Sequence, residues 1–381
     1  LRFLSYGTIF GRSHLKFMHA LHESLIDAGH EVHVISPIIN SRMKLEKTRA
    51  KIIYIPQSPE ALVYEKVAEN EMATNSWITK GMTSALEPLM RILAAWQGQC
   101  NATLHHPGLM EQLAKEKYDA AFSEPICFCG FGIFEKLGIR NIATTLSTSS
   151  LGGFFRYTGA HAVPSYVPGA LSPFTDRMPF IQRVLNTIQS VMPHLVMPMM
   201  QDPYTAMFKK RFGEDFPRIE VINIFTRTLI SEILDRASLH FLNAEPLTEF
   251  PQMTTHKIVE IGGISVASGH SPLNEFPDVT FVWKYEKPEH NISKGIENLI
   301  EGTWLPQNDM LNDARLSLFI THCGQGSAIE ATKAGVPLVV IPVLGDQERN
   351  AQSIALVLEI LSNSSNLSQQ FFSHNVCNDA K

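Results

Sequence analysis

The chain has 381 residues, 44% of them hydrophobic and 18% charged, and a formal net charge of -5 at pH 7. That length exceeds one core and predicts two domains, and the composition excludes the disordered and fibrous classes. An acidic balance without a long basic run excludes a nucleic-acid footprint. The five Cys, at positions 100, 127, 129, 323 and 377, include no Cys-x-x-Cys pair. This argues against a zinc or thioredoxin-type site, and the odd, sparse count argues against a disulfide scaffold.

In chain order, Leu1 to Tyr6 reads as a buried strand and Gly7 to Gly11 as a loop. Ser13 is the expected cap of a helix that runs to Asp27, with Leu15, Met18, Leu21, Leu25 and Ile26 at helical spacing. Gly29 ends it, and Glu31 to Ser36 is the next strand, giving the β-loop-α-β opening of a parallel sheet. Strands are predicted at Lys51 to Pro56, Tyr118 to Ser123 and Arg140 to Thr145. Helix is predicted through most of Glu60 to Leu113 and from Gly130 to Leu137. From Ser150 to Phe216, seven prolines punctuate short apolar pieces rich in Met and Phe, which predicts an irregular helical cap over a pocket. Short strands follow at Ser238 to Asn243 and Lys257 to Ile261, then a junction at Gly262-Gly263 and the polar run Ser265 to Glu275. Val279 to Lys284 restarts a sheet.

The most informative stretch runs from Trp304 to Gln347. Trp304-Leu305-Pro306-Gln307 is a turn with an aromatic plate, and Leu316 to Thr321 a short buried strand. His322-Cys323-Gly324-Gln325-Gly326-Ser327 is a small-residue loop opening a helix that carries Glu330. Val336 to Pro342 is a second buried strand that ends at Gly345-Asp346-Gln347. In an open α/β sheet such strand-end loops bind ligands. Gly324 and Gly326 let the backbone approach a ligand closely, and with Ser327, His322 and a helix N-terminus they suit a diphosphate. Glu330 can accept two hydrogen bonds from a ribose diol. Trp304 offers a face to a base, Gln307 an amide to read it, and Asp346 and Gln347 hydrogen bonds to sugar hydroxyls.

Toward the N-terminus, His14 lies at the first turn of a helix, where a neutral ring is expected near pH 7 and can act as a base. Glu124 ends a buried strand on the same sheet edge, where a carboxylate can hold the second ring nitrogen of His14. The plainer readings are a solvated helix-start histidine and a loop carboxylate. A dinucleotide fingerprint is not met, because Ile329 stands where its third glycine belongs. No Asp-x-Asp occurs to hold a nucleotide through a metal. His19 and His22 read as polar-face residues, and the Met192 to Met207 run as core or pocket lining.

These residues resemble the UDP-glycosyltransferase and UDP-glucuronosyltransferase family of animals, and look most like its nematode members. The resemblance is carried by Trp304 to Gln307, Phe319 to Ser327, Glu330, Gly335 to Pro342 and Gly345 to Asn350. It extends to Phe281 to Tyr285, Glu260 to Gly263, Phe241 to Asn243 and the Gly11-Arg12-Ser13-His14 loop. It implies the GT-B fold, an α/β architecture of two Rossmann-like domains facing across a cleft. Residues 1–244 would bind the acceptor, with the helical cap at about 150–216. Residues 245–278 would link, and 279–381 would bind the UDP-sugar.

The resemblance further implies inverting, metal-independent transfer of a glucuronosyl or glucosyl group to a hydroxyl of a small lipophilic acceptor. His14 would be the base and Glu124 its support, with no cofactor beyond the UDP-sugar co-substrate. It also implies a membrane-anchored glycoprotein of the endoplasmic reticulum lumen that forms homo-oligomers or pairs with related transferases. Four Asn-x-Ser/Thr sequons, at Asn101, Asn291, Asn363 and Asn366, favour such a setting. Within the chain itself, neither a signal peptide nor the roughly 18 to 20 uncharged apolar residues of a membrane span is expected.

Two departures from the family pattern stand out. The interval from Ile264 to Val279 lacks the apolar run of a first C-terminal strand, and Ser362 to Lys381 is polar and unlike the family's continuation. The C-terminal domain is therefore expected to be incomplete. A catalytically impaired paralogue that acts as a binding partner of intact relatives is the competing expectation. A nicotinamide-dependent oxidoreductase is a third class.

Overall fold

A computed structural model of the chain describes residues 1–43, 47–67, 82–126, 128–148, 158, 160, 163–169, 172–217, 233–266, 280–296, 298–343 and 345–364. The first half is built on one parallel sheet of seven strands in the order β3-β2-β1-β4-β5-β6-β7. These are β1 Arg2–Tyr6, β2 Glu31–Pro37, β3 Lys51–Ile55, β4 Ala120–Ser123, β5 Ile142–Leu146, β6 Leu239–Leu242 and β7 Ile258–Glu260. Strands buried on both faces read as near-continuous apolar runs, and six consecutive residues of β2 are buried. The order reverses between β1 and β4, so their carboxyl ends flank the crevice where ligands bind in such sheets. β7 joins this sheet, within the stretch expected to be a linker.

Helix α1, Arg12–Asp27, follows β1. Gly11 in extended conformation is its N-cap and no side chain caps it, so the expected cap Ser13 is already inside the helix. Gly29, at φ +81°, ends the turn that follows, as its freedom in the left-handed region allows. Helices α2, Met82–Leu104, α3, Leu109–Glu116, and α4, Cys129–Lys136, come next, then α5, Phe180–Phe212. α5 is one continuous helix of 33 residues with Pro193, Pro198 and Pro203 inside it. The expected series of short pieces is corrected there; residues 149–157 and 218–232 lie outside the described residues. Tyr204 and Phe208 of α5 are buried in the same core as α4 and α2, which offsets the backbone bonds the prolines remove. Residues 129 to 134 of α4 are buried without a break, as expected of a helix apolar all round.

A disulfide joins Cys100 of α2 to Cys129 of α4, with Cα atoms 5.6 Å apart. Five scattered cysteines gave no spacing that signalled it.

The second half holds two separate parallel pairs among the described residues. β8, Phe281–Lys284, pairs with β9, Leu299–Gly302, and β10, Phe319–Thr321, pairs with β11, Leu338–Val340. Helices α6, Gln307–Leu311, α7, Gln325–Ala334, and α8, Gln347–Ser364, complete it. The strands β10 and β11 were expected to be buried. Instead Ile320 is 56% exposed, and Leu318 and Ile341 flank them exposed. Among the described residues no strand joins β8 to β10, so each pair has an open edge there.

The halves meet at a joint that reaches into the interior. Arg349 of α8, 1% exposed, donates to Glu249 at 2.8 Å and lies over the Phe250 ring at 5.4 Å. Ser353 of α8 donates to the Thr248 carbonyl, and Gln325 of α7 donates to the Asn243 carbonyl at 3.0 Å.

Candidate active site

Parallel register explains why residues far apart in sequence converge. Tyr6 pairs with Ser123, Ser123 with Thr144, and Leu146 with Leu242, so the residues that follow these strands emerge on one edge. Glu124 follows β4, Ser147 follows β5 and Asn243 follows β6, while the loop after β1 delivers the first turn of α1 with His14.

The contacts at that edge are close. His14 Nδ1 lies 2.8 Å from Glu124 Oε2 and 2.7 Å from Ser147 Oγ. The Ser147 backbone N–H donates to the other oxygen, Glu124 Oε1, at 2.9 Å. Asn243 Nδ2 donates to the Ser147 carbonyl at 2.9 Å and fixes that turn. The Phe10 ring leans on the imidazole at 4.5 Å, backed by Trp96. With Nδ1–H donated to Glu124, Nε2 is the proton-accepting nitrogen, and no described residue engages it. The geometry brings the predicted pair together. Ser147 was missed; its only sequence signal is its place two residues past a predicted strand.

The electrostatics add to what the helix position implies for the ring. Burial acts to lower the His14 pKa, but the charge and hydrogen bond of Glu124, with Asp346 adding, outweigh it, and the ring is more basic than a free histidine. Burial conversely acts to raise Glu124, but His14 and the Ser147 hydrogen bonds hold its carboxyl below the usual range. Asp346 belongs to the second half, whose Glu330 and Trp304 are in contact with Lys16 and Arg12 of α1.

Across the cleft, Glu330 is 3% exposed one turn into α7. Gln307 Nε2 donates to Glu330 Oε2 at 2.6 Å and to Ser327 Oγ at 3.1 Å. Lys16 of α1 pairs with Glu330 Oε1. Trp304 is 64% exposed and carries the Arg12 guanidinium 4.9 Å from its ring centroid. Neither Arg12 nor Lys16 was singled out from the sequence.

The loop before α7 is tightly turned. Cys323 holds φ +64°, and its N–H donates to Thr321 Oγ1 while its carbonyl accepts from Asn350. A β-carbon on Gly324 would come 2.9 Å from His322 Nε2, so glycine lets that ring lie against the loop. His322 is held below the ordinary histidine value by the desolvating protein around its ring. Asp346 opposes that shift and Lys284 adds to it. Asp346 accepts from Asn350 Nδ2 at 2.9 Å, and Gln347 Oε1 accepts from the Val343 N–H at 2.8 Å. Gly326 has open space around it. The nine residues predicted for the donor site lie at or beside the ends of β9, β10 and β11, and His14 with Glu124 at the edge of the first sheet. Among the described residues no group of three or more His, Cys, Asp or Glu side chains is set to hold a metal.

Two α/β halves whose strand-end loops face across a cleft, one with a histidine–carboxylate pair and the other with a glycine-rich helix start, define the class of glycosyltransferases with the GT-B fold. More narrowly, the family described as UDP-glucoronosyl and UDP-glucosyl transferase matches residues 8–278 and 270–370, and the chain belongs to it. The two matched segments overlap at residues 270–278. Among relatives, ugt-47 of Caenorhabditis elegans, which carries the UDP-glucuronosyltransferase name, is 23% identical over 93% of this chain and 72% of its own length. Among solved structures, the glycotransferase of kitacinnamycin matches with a TM-score of 0.56 at 14% identity, over 100% of this chain and 87% of that one. Phytolacca americana UGT2, solved with UDP-2fluoro-glucose and pterostilbene, matches with a TM-score of 0.51 at 14% identity, over 94% and 83%. The chain is thus a transferase of the family that uses UDP-sugars as donors.

Proposed function

We propose that this chain transfers a hexosyl group, glucuronosyl or glucosyl, from a UDP-sugar to a hydroxyl of a small lipophilic acceptor, with inversion and without a metal. The observation that carries the reading is the His14–Glu124–Ser147 arrangement facing Asp346. His14 Nε2 takes the acceptor O–H proton, and the acceptor oxygen attacks the anomeric carbon as its bond to the diphosphate oxygen breaks. Glu124 stabilises the imidazolium that forms. The leaving diphosphate meets the N–H groups of Gly324 to Ser327 at the start of α7 and the His322 ring. Trp304 and Gln307 read the nucleoside, Glu330 the ribose, and Asp346 with Gln347 the sugar.

The test is turnover of a phenolic acceptor with UDP-glucose and UDP-glucuronate. His14→Ala is expected to lower kcat by roughly 10²- to 10⁴-fold. A folded wild-type chain that transfers neither sugar would refute the reading.

The pairs β8–β9 and β10–β11, unjoined among the described residues, favour a second reading, a catalytically impaired paralogue that works bound to an intact relative. Co-purification with such a relative together with absent turnover of the isolated chain distinguishes it; a monomer with full turnover removes it. For location, we propose the lumen of the endoplasmic reticulum, with the protein glycosylated and held at the membrane. The Cys100–Cys129 disulfide supports an oxidising compartment, and Asn101 and Asn291 are exposed sequon residues. No helix among the described residues is long and apolar enough to cross a membrane. A glycosidase-sensitive gel shift of the expressed protein tests the glycosylation.

A further inference from the structure

Helix α1 carries two cations one turn apart, Arg12 and Lys16, on either side of His14 in the sequence. Both reach across the cleft to groups of the second half. The Arg12 guanidinium lies over the Trp304 ring at 4.9 Å, and the Lys16 ammonium pairs with Glu330 Oε1. The remaining oxygen, Glu330 Oε2, is already taken by Gln307 at 2.6 Å. Both oxygens of this carboxylate are therefore engaged, and Glu330 is 3% exposed. A ribose diol needs Glu330 oxygens as acceptors, and the ammonium stands on one of them.

We propose that α1 closes the donor site with a displaceable clasp, Lys16 on Glu330 and Arg12 on Trp304, which a nucleoside must open and which a nucleoside diphosphate opens more readily. The inference rests on reading Trp304 and Glu330 as donor-recognition residues. Replacing a charged ammonium on a buried carboxylate by neutral hydroxyls loses a charge-assisted contact. Lys16 is 39% exposed at its side chain, so once released it remains a cation in the cleft. A ligand that brings a diphosphate restores an opposite charge nearby, whereas a bare nucleoside does not. Lys16 thus discriminates in favour of donors that carry phosphate, and it ties donor binding to loosening of the contact between the halves.

The experiment is calorimetric titration of the full chain with uridine and with UDP, in the wild type, Lys16→Gln and Lys16→Met, with thermal melting as the check on folding. The expected result is a Kd for uridine about tenfold lower in either variant, a smaller gain for UDP, and so a narrower UDP-to-uridine ratio. In the Glu330→Gln background, where the ammonium has no carboxylate to hold, the Lys16 substitution is expected to leave uridine affinity unchanged. UDP bound by the wild type but uridine affinity equal or weaker in both Lys16 variants would overturn the clasp and leave the donor site standing. UDP bound by none of the folded proteins would overturn the donor reading, and the clasp with it.

Discussion

His14 takes its basicity from Glu124, so the two share one pH signature. The base must be unprotonated to accept a proton, and its raised pKa puts the acid limb of kcat/KM at higher pH than a free histidine would give. Glu124→Gln removes the charge, and the acid limb is expected to move to lower pH while kcat falls; a pH–rate profile of the two enzymes measures both. In stability terms the signs are opposite for the two partners. The raised His14 contributes stability that is present below pH 6.5 and lost as pH rises through its folded value. The lowered Glu124 contributes stability that is present above pH 4.5 and lost as pH falls. A second histidine behaves differently. His22, buried against Ser5 Oγ at 2.9 Å, is pushed down to about 3 by burial, with His19 adding and Glu23 opposing. Below pH 6.5 the unfolded chain gains a proton that the folded one refuses, so stability drops by up to about 1.4 kcal/mol per pH unit. Urea unfolding at pH 7.5 and 5 is expected to show a shallower pH slope for His22→Gln than for the wild type.

Among the elements, α4 and its neighbours set limits that side-chain pattern alone did not announce. A β-carbon on Gly132 would lie 2.4 Å from Phe208 Cζ, and Phe208 is fully buried and stacked on Phe216 at 5.0 Å. The ring has nowhere to move, so Gly132→Ala is expected to destabilise by about 1–3 kcal/mol through overpacking, read as a lower denaturation midpoint. The same closeness binds α4 to α2 through Cys100–Cys129. Element type was legible along most of the first half from apolar runs and helical spacing, but not in α5, whose prolines suggested breaks that the continuous helix does not have. The glycine contacts and the disulfide were not legible, because they depend on which helices lie together. Strand β9 was missed too, its apolar residues being only Leu299 and Ile300.

For the molecule as a whole, the halves are joined by polar groups that are largely out of water. Arg349 and Glu249 are 1% and 4% exposed at their side chains. Removing one partner leaves the other charge buried and unpaired, so Arg349→Ala is expected to lose about 3–5 kcal/mol. Chemical unfolding of the full chain measures it. Arg349→Met with Glu249→Gln should lose less, since neither charge then remains. The second half differs in kind from the first: among the described residues its strand pairs are open, and apolar side chains such as Ile320 and Phe281 are exposed.

By itself the sequence determined the strand–helix alternation, the family, and which residue types carry donor chemistry, because spacing and local composition encode these directly. The partnerships were decided by the tertiary structure. Parallel register set Glu124 and Ser147 around His14, Glu124 made His14 more basic than its helix position implied, and the approach of α1 to the second half put Arg12 and Lys16 on Trp304 and Glu330. Contacts between residues more than a hundred positions apart have no local signature, and the electrostatic field at a buried site depends on all the groups that surround it.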